Sequence, residues 1–299
     1  MRTVEYLFGS PELAAIFWPA VVVGLLVSVL CAVLSPLVVL RRMSFIGQGV
    51  SHAAFAGVGL AMVFGLGAGQ AGDWGVVAVV ALTCVAAAIG IAALSDRKGL
   101  NADTAIGIVL VSAMALGFVM IQHASEAMRA RGETPGFGVE SVLFGSVLGV
   151  RWGDAVAAGV VVATEFVLLW WYRRRLLFWA FDSVGAAAAG VRVGATRTLL
   201  LVLLALAIVV TMRLAGVVLA TALLVLPGAT ALRCSTRLWP VFAISAAAGL
   251  AGVAIGLVVS FELDWQPGPA IVLTQVVLYA GACVVGVVRS RRAARAATA

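Results

Sequence analysis

Charged side chains are scarce in this sequence. Only 11% of its 299 residues are Asp, Glu, Lys or Arg, whereas about a quarter of an average soluble domain is charged. Hydrophobic residues make up 63% of the chain, and its mean hydropathy is +1.14. This composition excludes an ordinary soluble domain and predicts an integral membrane protein.

Lysine is almost absent from the sequence, and no two cysteines are close together. Lys98 is the only lysine, and Gly99 and Leu100 follow it instead of the Ser or Thr that ends a phosphate-binding loop. The chain therefore has no such loop for ATP hydrolysis, and we expect a transport protein, not an enzyme. The four cysteines lie far apart, which excludes a C-x-x-C site and a disulfide framework. We expect no permanently bound cofactor.

Long apolar runs predict an all-α polytopic membrane protein. A helix that crosses the hydrocarbon core needs about 20 residues, and about nine runs approach this length. They cover residues 16–40, 48–66, 75–94, 104–122, 155–172, 198–212, 214–232, 239–260 and 269–288. The run 198–212 is short, so eight spans are the alternative. Arg213 is the predicted turn between this run and the next, and Pro227 should kink or unwind the latter. Residues 141–149 are too few to span and predict a re-entrant or interfacial segment.

The distribution of charge predicts the orientation of the chain. Most basic residues follow odd-numbered spans, including Arg41, Arg42 and Arg173, and the tail 289–299 is also basic. The positive-inside rule then places the N-terminus outside and the C-terminus in the cytoplasm. Residues 1–299 are expected to form one transmembrane domain. Because the net charge of +7 reflects this orientation, we expect the lipid bilayer as a partner and no nucleic acid.

The second span carries the first candidate site. His52 lies ten residues after Arg42, which places it about 15 Å into the membrane, close to its midplane. Gln48 precedes it by one helical turn and shares its face. An ionisable residue at this depth is costly and usually functional, although a packing histidine is the alternative. Imidazole suits zinc, manganese and iron alike, so His52 and Gln48 are candidate ligands of a metal in transit.

Glu165 is the acidic residue that lies clearly within a span. It precedes Arg173 by eight residues, which places it about 12 Å from the cytoplasmic face. The sequence allows an exit-path metal ligand, a proton carrier or one half of an interhelical pair. Of these, the interhelical pair is the favoured interpretation.

The stretch from Arg41 to Gly57 resembles a motif of the permease subunits of ABC importers for zinc, manganese and iron, the ABC-3 type. In that motif, two basic residues precede Ser-Phe, Gly-Asp and Ser-His-Ala, and a glycine follows. The matching residues here are Arg41, Arg42, Ser44, Phe45, Gly47, Ser51, His52, Ala53 and Gly57. This sequence departs from the family at Gln48, where many members have Asp.

A second part of the resemblance lies in residues 181–192. This stretch is similar to the family's cytoplasmic segment F-D-x-x-x-A-x-x-x-G, which implies that it couples the permease to its ATPase. The corresponding residues are Phe181, Asp182, Ala186 and Gly190, with Gly185 within the same segment.

The resemblance implies a permease of the type II ABC importer kind in the bacterial cytoplasmic membrane. It further implies a homodimer, a separate ATP-binding subunit, an extracytoplasmic metal-binding protein and a divalent metal ion as the transported substrate. Two alternatives remain at this point. A permease for cobalamin or chelated iron would need no ligand at mid-membrane, and a stand-alone secondary cation transporter would more often carry several paired acids.

The predicted topology can be tested with reporter fusions. Reporters fused after Arg175 or at the C-terminus should be cytoplasmic, and one placed within residues 126–138 should be extracytoplasmic, because basic residues stay inside. Alkaline phosphatase and green fluorescent protein activities measure the two locations. Reporters that all lie on one side of the membrane would contradict the nine-span arrangement.

Overall fold

The computed structural model describes residues 11–66, 74–95, 100–132 and 152–297, together with residues 3 and 9; the side chains of 13, 16, 213–215 and 287–297 are not included. Helices account for almost all of this part of the chain, and it contains no strand. The helices are α1 (Pro11–Leu40), α2 (Ile46–Val63), α3 (Trp74–Ser95), α4 (Ala102–Ala130), α5 (Trp152–Phe181), α6 (Ser183–Ala188), α7 (Val193–Cys234), α8 (Leu238–Leu263) and α9 (Pro267–Ala297).

Nine segments of the described chain are long and apolar enough to cross a membrane. The helices α1 to α5, α8 and α9 each provide one, and α7 provides the segments Val193–Met212 and Gly216–Cys234. The prediction of an all-α protein with nine spans is confirmed. The predicted re-entrant segment 141–149 lies outside the described residues.

The helix α7 folds back on itself near Gly216. Cys31 Sγ of α1 lies 3.6 Å from Thr211 Oγ1, and Ser35 Oγ, one turn further along α1, accepts a hydrogen bond of 2.8 Å from Gly228 N. In a straight helix, Thr211 and Gly228 would be about 25 Å apart, whereas one turn of α1 rises only about 5.4 Å. Gly216 has a φ of 74°, which a right-handed helix does not adopt. The two halves of α7 are therefore antiparallel spans.

The reversal lies slightly later in the chain than the sequence suggests. Arg213 is the polar interruption and was the predicted turn, but the left-handed residue is Gly216, because glycine adopts a positive φ without a steric penalty. Pro227 was expected to kink or unwind the following span. Helical structure continues through it, and the hydroxyl of Ser35 accepts the N–H of the adjacent Gly228.

The fifth span is longer than predicted. The helix α5 continues past the arginines at 173–175 to Phe181, because Leu176, Trp179 and Ala180 are buried on its inner side. Residues 176–181 therefore extend the helix of the fifth span. Among the described helices, α6 alone provides no span.

The helix α2 is enclosed by α3, α4 and α7, and glycines permit the close contact with α4. A Cβ added at Gly117 of α4 would lie 2.6 Å from the carbonyl carbon of Phe55 and 2.7 Å from the nitrogen of Ala56. A Cβ at Gly59 of α2 would meet the side chain of Met120 at 2.7 Å. The backbones of the two helices thus approach too closely for any larger residue at these positions.

Gly117→Ala should destabilise the protein, because the new methyl group collides with the α2 backbone. Overpacking of this kind typically costs about 1–3 kcal/mol. Gly107→Ala is the matched control on the same helix, since a Cβ there meets nothing within 4 Å. Thermal unfolding in detergent, followed by size-exclusion chromatography, should show a lower midpoint for Gly117→Ala alone. Equal midpoints for the two variants would contradict the close packing of α2 on α4.

Candidate metal path and coupling helix

One face of α2 is left open by the rest of the chain. Gln48 is exposed, whereas His52, Ala56 and Leu60 are half-buried, and most of the other residues of this helix are buried. These four residues are spaced four apart and form one stripe along the helix. The sequence prediction that Gln48 and His52 share a face therefore agrees with their positions in the structure.

The imidazole of His52 belongs to this stripe and is half-buried. Its Nδ1 is buried and has no hydrogen-bond partner within the described part of the chain. The imidazole ring stacks on Phe55 with centroids 5.7 Å apart, and Phe55 stacks on Phe118 of α4 at 5.8 Å. The aromatic contacts hold the ring without consuming its lone pair. A neutral imidazole held in this way can accept a proton donor or a metal ion.

The open stripe supplies only part of a coordination sphere. Gln48 offers a neutral amide oxygen, and His52 offers one nitrogen. Among the described residues, no group of three or more His, Cys, Asp or Glu side chains comes together. A divalent metal usually takes four to six ligands. One copy of this chain, within its described part, therefore does not complete a metal site at His52.

Glu165 belongs to a different part of the molecule. It lies on α5, which packs mainly on α1 and α7, whereas α2 packs on α3, α4 and α7. Glu165 is fully buried, and neither carboxylate oxygen has a hydrogen-bond partner among the described residues. The structure therefore does not group Glu165 with Gln48 and His52, and it provides no interhelical partner for the carboxylate.

The residues of the predicted coupling segment build a small, well-defined helix. Asp182 caps the N-terminus of α6, and its Oδ1 accepts hydrogen bonds from Val184 N at 3.1 Å and Gly185 N at 2.8 Å. Ala186 is buried. Gly190, with a φ of 80°, ends the helix, and the next amide, Val191 N, bonds to Ala186 O.

Three of the four residues of the F-D-x-x-x-A-x-x-x-G pattern thus have a structural role. The aspartate starts the helix, the alanine fits against the rest of the protein, and the glycine stops the helix by adopting a left-handed conformation. At Gly185, a Cβ would collide with the capping carboxylate of Asp182. Phe181 and Val184 remain 57% and 79% exposed, so they form an exposed apolar surface.

Sequence reasoning missed two residues next to this segment. The guanidinium carbon of Arg41 lies 4.2 Å from the ring centroid of Trp179, which is only 1% exposed. This cation–π contact joins the turn before α2 to the end of α5. The sequence assigned Arg41 to membrane orientation and to the family motif, and no local pattern connects residues 138 positions apart.

Comparison with known proteins assigns the fold and the family. The family described as "ABC 3 transport family" matches residues 14–286. The chain belongs to this family. It is thus a multi-pass permease of the plasma membrane, and the resemblance found in the sequence is confirmed.

Relatives in this family match nearly the whole chain. A protein of Haemophilus influenzae named "Probable iron transport system membrane protein" is 31% identical over 91% of this chain and 94% of its own length. The "Manganese transport system membrane protein MntC" of Halalkalibacterium halodurans is 33% identical, with 94% and 90% covered.

A solved structure has the same fold. The structure titled "PsaBC from Streptococcus pneumoniae in complex with Fab" matches with a TM-score of 0.75 and 28% identity, covering 93% of both chains. A second structure, described as an inward-facing putative metal-chelate ABC transporter, matches with a TM-score of 0.63 at 17% identity and supports the fold alone.

Proposed function

We propose that this ABC 3 family permease imports a divalent transition metal ion, zinc, manganese or iron, along the open face of α2. The observation that carries the proposal is the position of Gln48 and His52 on the one stripe of α2 that the chain leaves uncovered. Relatives named for iron and manganese transport, each about one third identical, support the class of substrate. A metal ion passing along this face would meet His52 near mid-membrane.

The open face is proposed to meet the same face of a second copy. A homodimer would bring two imidazoles and two amide oxygens to one axis, and this doubles the ligands that a single chain offers. Four neutral ligands satisfy the coordination number of a transition metal but not its charge. Such a site holds the ion weakly, which suits a position that the ion must leave again.

Two further partners complete the proposed importer. Because the chain lacks a phosphate-binding loop, a separate cytoplasmic ATPase must supply energy, and the exposed side of α6 is its proposed docking surface. The N-terminus is placed outside, where an extracytoplasmic binding protein would deliver the ion. The half-buried His52 favours a bare ion over cobalamin or chelated iron, since a large substrate needs no ligand on this stripe.

His52→Ala should abolish metal uptake without changing assembly, because the imidazole is half-buried and only the transit ligand is lost. Gln48→Asp should raise metal occupancy, since an anionic ligand neutralises part of the ion's charge in a region of low dielectric constant. The measurements are uptake of radioactive manganese and zinc by cells at limiting metal, and metal content of the purified complex.

Ala56→Ser is the matched control, because it changes the same stripe without adding a strong ligand. Wild-type uptake by the His52→Ala strain would overturn the assignment of the metal path. In that case His52 would be a packing residue.

Val184→Glu should prevent the ATPase from binding, because it places a charge at the centre of the apolar surface formed with Phe181. Thr236→Glu is the control, since this exposed residue adds the same charge in another cytoplasmic loop. Val184→Thr keeps the shape and should retain binding. Co-purification of the ATPase with each tagged permease gives the result. Normal recovery with Val184→Glu would exclude α6 as the docking site.

A further inference from the structure

The surroundings of Glu165 differ from those expected for a residue that lines a transport path. Its side chain is 0% exposed, and both carboxylate oxygens lack hydrogen-bond partners among the described residues. It lies on the buried side of α5, between Val162 and Leu169. A charged carboxylate without a partner is very costly in such surroundings.

The neighbouring groups do not offset this cost. Among the described titratable side chains, Cys31 of α1 is a neighbour of Glu165. Thr211 of α7 lies against Cys31, but its hydroxyl donates to Ala207 O at 2.6 Å, so it is not available to the carboxylate. Arg213 follows Thr211 by two residues on α7, and its side chain is outside the described part of the structure. At the start of α6, the carboxylate of Asp182 accepts the hydrogen bond that caps the helix.

A neutral carboxylic acid fits this environment better than a carboxylate. Burial without a partner favours the uncharged form of an acid, and a thiol such as Cys31 cannot supply a balancing positive charge. Cys31 would instead repel a carboxylate if it ionised. The packing of α5 on α1 and α7 therefore favours the neutral form of Glu165.

The position of Glu165 links this proton to the coupling helix. The helix α5 runs without interruption from Glu165 to Phe181, a rise of about 24 Å. Asp182 follows and caps α6. The helix α5 thus connects Glu165 directly to α6. If α5 separated from α1 and α7, water would reach Glu165. A hydrated glutamate ionises at neutral pH.

We propose that Glu165 is a proton-binding site of the permease, occupied when α5 is packed on α1 and α7 and released to water when α5 moves away. The part that concerns movement rests on the proposed coupling role of α6. Because the packed conformation binds one more proton than the opened one, acid favours the packed conformation and alkali favours the opened one. Turnover that passes through both conformations should therefore depend on the state of this carboxyl group.

Infrared spectroscopy of the purified full-length permease tests the proton site itself. A protonated carboxylic acid has a carbonyl stretch that a carboxylate lacks. At pH 7 the wild type should show this band, Glu165→Gln should lose it, and Asp154→Asn, at the outer end of the same helix, should keep it. A wild-type spectrum without a band that depends on Glu165 would overturn the proposal. This result is independent of metal transport and of the ATPase.

The pH dependence of ATP hydrolysis by the complex in proteoliposomes tests the coupling. In the wild type the rate should rise with pH, by up to about tenfold per unit where loss of one proton limits turnover. Glu165→Gln is always neutral, so its rate should be low and nearly flat across the same range. An unchanged slope in this variant would overturn the coupling of the proton to turnover, even if the infrared band were found.

Discussion

The structure depends on how closely α2 and α4 approach each other. Gly117 of α4 lies against the backbone of Phe55 and Ala56, and Gly59 of α2 lies against Met120. Together with α3 and α7, this contact covers every side of α2 except one. The stripe that carries Gln48 and His52 is therefore open because of what the other sides bury. Packing, more than the chemistry of the two residues, thus determines which face of α2 is left uncovered.

Much of the fold was predictable because apolar length and basic residues at span ends are local properties of the sequence. The all-α class, the nine spans and the shared face of Gln48 and His52 all follow from spacing. The reversal in α7 was predicted at Arg213, yet it occurs at Gly216, because the backbone conformation that turns the chain requires glycine. The polar Arg213 indicated the region of the turn, and the steric freedom of glycine places the turn itself at Gly216.

The parts that escaped prediction depend on contacts between distant residues. The stacking of Arg41 on Trp179 joins helices that the sequence separates, and the burial of Trp179 explains why α5 continues beyond its arginines. Glu165 was expected to form an interhelical pair, and the described side chains offer it none. The spacing to Arg173 predicts its depth in the membrane but could not show which helices surround it, and its neighbours decide whether the carboxyl group is charged.

The hairpin in α7 has a consequence for biogenesis. Its two halves are joined at Gly216 with almost no intervening loop. Both halves are apolar, so neither would be stable in water while the other inserts. The pair must therefore enter the bilayer together, as a single helical unit of 42 residues. Ser35 and Thr211 can form their contacts with the opposing helices only after this unit has docked on α1. Insertion and folding of this part of the permease are thus one event.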